Sequence, residues 1–228
     1  MIFMEQLKEC LVVHPVFTSL SASDRDVLLK LAVRRKLQKG DVLAFQGDIW
    51  AYLFLVTEGE LEAVKISPEG RSLVITTFGA GELFWGLAFF QQEASQIVTL
   101  EARHPTCVYL WSREGIEPFF IRHGRMSWEL CRLMLQRMQR ASAIVEELAF
   151  QPVAGRLARL LLDHFSGSDG AAVSRDLTLE DMAARVGTTR EMVCRLLYRF
   201  SDRNLLEVTR TEFVLTDKDG LKRVAEGS

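Results

Sequence analysis

Residues 177–205 read LTLEDMAARVGTTREMVCRLLYRFSDRNL, and this stretch decides how the C-terminal third folds. Thr178 followed three residues later by Asp181 starts a helix, because each side chain can reach back to an orphan amide of the first turn. Met182, Ala183 and Val186 give that helix one apolar face. Gly187 marks a tight turn, after which Thr188 or Thr189 caps a second helix. Met192, Val193, Leu196, Leu197 and Phe200 recur at helical spacing and form its inward stripe. The opposite face carries Arg190, Glu191, Arg195 and Arg199. Two short helices about a glycine turn, the second with a charged outer face, form the layout of a helix-turn-helix.

The chemistry of that face fits base reading. Arginine donates two bonds to guanine O6 and N7, and glutamate accepts from cytosine N4. Residues near the start of a recognition helix reach deepest into the major groove. Arg190, Glu191 and Arg195 are therefore the expected base readers. The charges alone would suit a solvated face; the short first helix, the glycine turn and the paired caps favour DNA. Asn204 to Thr216 adds two short β-prone runs around Arg210, which read as the wing of a winged helix. For Arg210 a phosphate contact and a solvated turn charge both stand.

Working towards the N-terminus, Phe150-Gln151-Pro152 interrupts a helical run and serves as the expected hinge, since proline lacks an N–H and restrains the residue before it. A helix follows from Pro152 to about Phe165, then a loop over 166–170. Residues 113–149 predict either one long helix or a short helix feeding a long one. Leu130, Met134, Arg137, Ala141, Ile144 and Leu148 advance by 4, 3, 4, 3 and 4 residues, the pattern of a coiled-coil seam for a homodimer. Arg137 is the misfit in it. A helix packed on its own domain is the competing reading.

Before residue 113 the pattern changes to β. A short helix capped by Ser21 comes first. Glycines at 40, 47, 59, 70, 79, 81 and 86 then separate short apolar runs, as in a sandwich or barrel. Ala51 to Val56 is almost continuously apolar before the Glu58-Gly59 turn, and Ser67-Pro68-Glu69-Gly70 is a second turn. The resulting class is α+β: a β-roll (jelly-roll) sensor over 1–112, a dimerisation helix over 113–149 and a winged helix-turn-helix over 150–228.

Composition agrees with a packed protein. The 228 residues are 48% hydrophobic and 25% charged, with a formal net charge of −2, so any attraction to phosphate must be local. No apolar run reaches the roughly 18–20 residues that span a membrane. The N-terminus mixes charges into its apolar stretch and does not read as a signal peptide, so a cytoplasmic protein is expected. The four cysteines, at 10, 107, 131 and 194, are scattered and form no CxxC pair. Cys107 and Cys131 read as buried small apolar residues, and Cys194 lies on the reading helix.

The whole chain, from about residue 15 to 217, resembles the CRP/FNR family. The resemblance rests on Gly40-Asp41, Gln46-Gly47-Asp48, Val56-Thr57-Glu58-Gly59, Gly81-Glu82-Leu83-Phe84, the long helix and Thr189-Arg190-Glu191-x3-Arg195. It implies a cyclic-nucleotide-binding-like β-roll, a dimerising helix, a palindromic site in double-stranded DNA and contact with RNA polymerase. The Arg190-Glu191-x3-Arg195 pattern implies a half-site resembling TGTGA. Thr178 and Thr189 fall where family members hold phosphate, and Arg199 and Arg210 join them as phosphate candidates.

The sensor departs from the cyclic-nucleotide pattern. Gly81, Glu82, Phe84, Trp85, Gly86, Leu87, Ala94, Ser95, Ala141 and Ser142 are the effector-pocket candidates. Leu87 stands where the resemblance implies a ribose-binding carboxylate, and Ala94 where it implies a phosphate-binding arginine. Ala141-Ser142 replaces a base-contacting Thr-Ser pair. A buried phosphate without its arginine is costly, so cyclic AMP is not the expected effector. An iron–sulfur cluster is not expected either, since Cys10 is the one N-terminal cysteine. Haem stays open through His14, His104, His123 or His164, with His14 and His104 the better placed. The run Leu83 to Phe90 lines a hydrophobic effector cavity or fills it and leaves the protein constitutively active; both readings stand.

An enzyme or a binding protein without a DNA role is the rival class. The histidines show no metal-ligand spacing, and no GxSxG, Walker loop or HExxH occurs. No metal site and no catalytic residue is expected. A cyclic-nucleotide-binding regulatory subunit is a further rival, opposed by Ala94 and by the complete helix-turn-helix.

Overall fold

A computed structural model describes residues 2–166 and 172–227. Most of the loop expected over 166–170 therefore lies outside the described residues. The chain divides into two compact units, residues 1–66 with 75–140 and residues 67–74 with 141–228. This division falls inside the long helix, ahead of the Phe150–Pro152 break.

The first unit begins with two helices, α1 (Ile2–Val13) and α2 (Ala22–Leu31). Ser21 caps α2 by accepting from the Asp24 amide at 3.1 Å. Eight strands follow: β1 (Val33–Leu37), β2 (Val42–Ala44), β3 (Tyr52–Glu58), β4 (Glu60–Ile66), β5 (Ser72–Gly79), β6 (Leu83–Trp85), β7 (Thr99–Ala102) and β8 (Thr106–Ser112). They form two four-stranded sheets, ordered β1-β8-β3-β6 and β2-β7-β4-β5. The paired registers in both are antiparallel. The nearly continuous apolar run at 53–56 follows from burial on both faces of β3. Leu53 and Leu55 face the helices, while Phe54 and Val56 face the space between the sheets.

Two cores result. The helix-side core joins Leu7 and Leu11 of α1, Leu28 of α2 and Trp111 of β8 to Ile116 of α3 (Arg113–Arg122). Trp111 donates its indole N–H to the Leu28 carbonyl at 2.8 Å, which satisfies the one polar atom of a fully buried ring. The inter-sheet core holds Phe54, Leu61, Phe78, Leu100 and Val108. Helix α1 carries no signal that marked it as a helix at the sequence level; Leu7 and Leu11, one turn apart, are its buried pair.

A break at His123 separates α3 from α4 (Gly124–Phe150), which is the short-helix-then-long-helix alternative. Of the seam expected along α4, Leu130 needs correction. Leu130 is 4% exposed and packs with Met126 in the helix-side core, so it cannot face a partner. Arg137 is held by its own chain, and Ile144 and Leu148 are half-buried. Met134 and Ala141 of the expected seam are exposed, and beside them runs a second exposed, mostly apolar stripe: Trp128, Cys131, Leu135, Met138, Ser142 and Val145, advancing by 3, 4, 3, 4 and 3. Cys131, expected to be buried, is exposed on that stripe, whereas Cys107 is buried.

The second unit contains α5 (Val153–Ser166), β9 (Ala172–Ser174), α6 (Leu179–Val186), α7 (Arg190–Asp202), β10 (Leu206–Val208), β11 (Glu212–Leu215) and α8 (Lys218–Ala225). Its three strands pair antiparallel in the order β10-β11-β9. Leu157, Leu161, Met182, Val193, Leu197 and Phe213 sit in its core. Helix α8 is capped by Asp217 and anchored by fully buried Leu221; it was absent from the sequence expectation.

Candidate nucleic-acid interface and effector region

The helix-turn-helix forms as the residues dictate. Thr178 accepts from the Asp181 amide at 3.1 Å, and the Asp181 carboxylate accepts from the Thr178 amide at 2.9 Å, a complete capping box on α6. Gly187 closes α6 with φ +70°, a conformation that a Cβ would strain. Thr189 then caps α7 by accepting from the Met192 amide at 3.3 Å. Val193, Leu196, Leu197 and Phe200 are buried, and that fixes the rotation of α7. Arg190, Glu191, Arg195 and Arg199 are thereby left exposed.

Two of these side chains have local partners. The Arg190 Nε lies 3.3 Å from a carboxylate oxygen of Glu180 on α6, an exposed pair of little energetic weight. Hydrogen bonds from its own backbone amide and from Thr189 hold the Glu191 carboxyl below the usual carboxylate range. An ionised Glu191 is purely an acceptor, as reading a cytosine amine requires.

The wing is built by β10 and β11, with exposed Arg210 at its tip. Thr209 closes the tip by accepting from the Glu212 amide at 3.0 Å. Two arginines that sequence reasoning passed over hold this unit together. Arg175 donates to the Thr209 carbonyl at 3.2 Å and lies over the Phe213 ring at 5.8 Å, which fastens the wing. Arg156 is 8% exposed and donates to the carbonyls of Val186 at 2.8 Å and Gln151 at 2.6 Å. It thus ties the chain break beside Pro152 to the end of α6. The signal for Arg156 was a cation one residue off the apolar stripe of α5, which is indistinguishable from a solvated charge until the fold is known.

The effector-pocket candidates separate onto different surfaces. On β6, Leu83 and Trp85 belong to the helix-side core, while Phe84 packs with the inter-sheet residues. Trp85 therefore does not line the interior of the roll. Leu87 is 38% exposed, and Gly81, Ser95, Ala141 and Ser142 are exposed too. Gly86 is needed for packing, since a Cβ there would collide with the Trp50 carbonyl. Ala94 is half-buried, its amide donating to the Gln91 carbonyl.

Between the sheets the aromatic rings meet one another. Phe84 lies 4.4 Å from Phe78 and 5.6 Å from Phe54, centroid to centroid, and Phe54 lies 5.6 Å from Trp50. From α4 the Arg137 guanidinium sits 4.8 Å from the Phe78 centroid and donates to Glu82 at 3.0 Å. Burial holds Arg137 below the usual arginine range, against the pull of Glu82. Its Nε and Nη1 are shielded and have no partner among the described residues.

The histidines offer little to a metal. His14 is pushed down to about 4 by burial, with its Nδ1 accepting from the Val16 amide at 3.2 Å. His104 is exposed; His123 lies 3.4 Å from Asp24 and His164 lies 3.2 Å from Asp176. Among the described residues no three His, Cys, Asp or Glu side chains gather to hold an ion. All four cysteines are free thiols. No described helix is long and apolar enough to cross a membrane.

Comparison with known proteins agrees with both halves. Residues 34–123 match the cyclic nucleotide-binding domain, and residues 155–224 match the Crp-like helix-turn-helix domain. The CRP-like cAMP-activated global transcriptional regulator of Mycobacterium tuberculosis is 25% identical over 227 residues, covering 96% of this chain and all of the relative. A solved regulator of the crp/fnr family from Eubacterium rectale superposes with a TM-score of 0.81 at 20% identity, covering 93% of this chain and 98% of its own. The c-di-GMP responsive regulator CLP of Xanthomonas campestris gives 0.75 at 22%, covering 86% and 99%. With a cyclic-nucleotide-type β-roll ahead of a capped, arginine-bearing helix-turn-helix, the chain belongs to the CRP/FNR family of DNA-binding transcription regulators.

Proposed function

We propose that the protein is a homodimeric regulator that reads a palindromic site through Arg190, Glu191 and Arg195, with TGTGA-like half-sites. The observation that carries this is the exposure of those three side chains along one face of a helix capped by Thr189. Thr178, Thr189, Arg199 and Arg210 are the phosphate contacts that set its register. Two such helices must reach half-sites about 34–36 Å apart. Phe150, Gln151 and Pro152 form the hinge that sets this span, and RNA polymerase is the protein partner.

The stripe from Trp128 to Val145 is the dimer seam. Its alternating steps of three and four suit knobs-into-holes packing against a second copy of the same helix. Cys131 then faces its own counterpart, within the roughly 7 Å between Cα atoms that a disulfide can bridge. A diamide-type oxidant should give a covalent dimer on a non-reducing gel, and Cys131→Ser should abolish it. A cross-link that survives Cys131→Ser would place the seam elsewhere.

The β-roll is a filled domain, and cyclic AMP is not its effector. Phe54, Phe78 and Phe84 occupy the inter-sheet space ring against ring, and Ala94 supplies no cation for a phosphate. On this reading the protein is competent for DNA without an added cyclic nucleotide, although the relatives named above include regulators called cAMP-activated and c-di-GMP responsive. Selection from random duplexes tests the reading assignment. It should recover inverted repeats with G/C pairs in each half-site; sites without them would overturn it.

A further inference from the structure

Beside the charged readers, α7 presents a group that the hydrogen-bond code does not use. Tyr198 is 68% exposed on the same flank as Arg195, although a ring on a reading helix gains nothing from water. It borders a concavity of about 500 Å³ lined by Leu179, Arg190, Glu191, Cys194, Arg195 and Tyr198. Tyr198 also borders a second concavity of about 300 Å³, shared with Leu179, Cys194 and Leu197. Leu179 and Cys194 are half-buried and give this lining an apolar part, called its floor, beside the charged Arg190, Glu191 and Arg195.

We propose that Tyr198, with Leu179 and Cys194, reads the 5-methyl group of a thymine in each half-site. The inference rests on the reading of DNA by this face of α7. A charged wall recognises base edges by hydrogen bonds, but an apolar floor has none to give. The apolar group that a base pair presents in the major groove is the C5 methyl of thymine. Placement agrees: Tyr198 lies three residues past Arg195, about 4.5 Å along the helix axis. Bases on one strand are about 3.4 Å apart. The thymine is therefore one or two pairs from the base that Arg195 reads, and Tyr198 is the specificity-determining residue for it.

The test uses the full-length protein and a duplex first recovered by selection, so a failed reading of the half-site shows itself as the absence of any preferred site. Each thymine is then replaced singly by deoxyuridine, which removes the methyl and keeps the pairing edge, and the Kd is measured by fluorescence anisotropy. One thymine per half-site should lose about fourfold, the factor carried by one buried methyl group. Tyr198→Phe should keep that sensitivity and Tyr198→Ala should erase it, with circular dichroism confirming that both variants fold. Uridine substitutions that are silent at every position would overturn the proposal. So would an undiminished uridine penalty in Tyr198→Ala. A Tyr198→Phe variant as weak as Tyr198→Ala, with a shallower salt slope, would assign the hydroxyl to a phosphate and overturn it too.

Discussion

The two units place their arginines in opposite ways. In the DNA-reading unit Arg190, Arg195 and Arg199 stand exposed on a helix whose rotation is fixed by a buried stripe behind them. In the β-roll unit Arg137 turns inward, pressed on Phe78 and paired with Glu82. One surface is built to meet an outside polyanion, while the other closes on itself. The motif arginines of the helix-turn-helix project from their helix, whereas in the β-roll Leu87 and Ala94 stand where the resemblance implies a carboxylate and an arginine.

The contrast predicts that damage to the roll changes stability and leaves sequence preference alone. Phe78→Ala should have the largest effect, since the ring is fully buried between Phe54, Phe84 and Arg137. Loss of a buried phenylalanine costs about 3–5 kcal/mol, to be read from denaturant unfolding of the β-roll transition. A shift in the preferred half-site would break the contrast.

Acid should weaken the same unit. His14 is held neutral at about 4, below its unfolded value, so the unfolded chain binds the extra proton as pH falls. The stability tied to it is present above about pH 6.5 and is lost between there and pH 4, roughly 3 kcal/mol in all. Thermal unfolding across pH 7.5 to 4.5 should show this slope, and His14→Phe should flatten it.

Arg195→Ala should do the reverse. Because the side chain is exposed, Tm should barely move. Specific DNA affinity should fall by about 1–3 kcal/mol, and discrimination should relax at one base pair of each half-site. A loss spread evenly over all sequences would make Arg195 a phosphate contact instead.

How much was legible in the sequence follows the same division. The caps at Ser21 and Thr178, the cap left between Thr188 and Thr189, the turn at Gly187 and the apolar run ending at Val56 are local signals, and each formed where its residues are, with Thr189 as the second cap. Leu130 misled as a seam residue because α4 carries apolar residues on adjacent stripes, and periodicity alone does not say which of them the roll covers. Arg137 was the clue, since a charge at a seam position suits an intrachain partner better than a partner helix. Trp85 misled differently: alternation along β6 turns it into the helix-side core, away from Phe84 and the inter-sheet space. Arg156 stayed hidden because its acceptors are backbone carbonyls, which leave no trace in residue identity.

The proposed function has this protein read DNA without the cyclic nucleotide. Its most direct test is anisotropy of nucleotide-stripped protein on the selected palindrome and on a scrambled duplex, over a salt series, with and without cyclic AMP. The account predicts tight, sequence-specific and salt-steep binding, with curves that coincide whether or not cyclic AMP is added. Specific binding that appears only with cyclic AMP would contradict it.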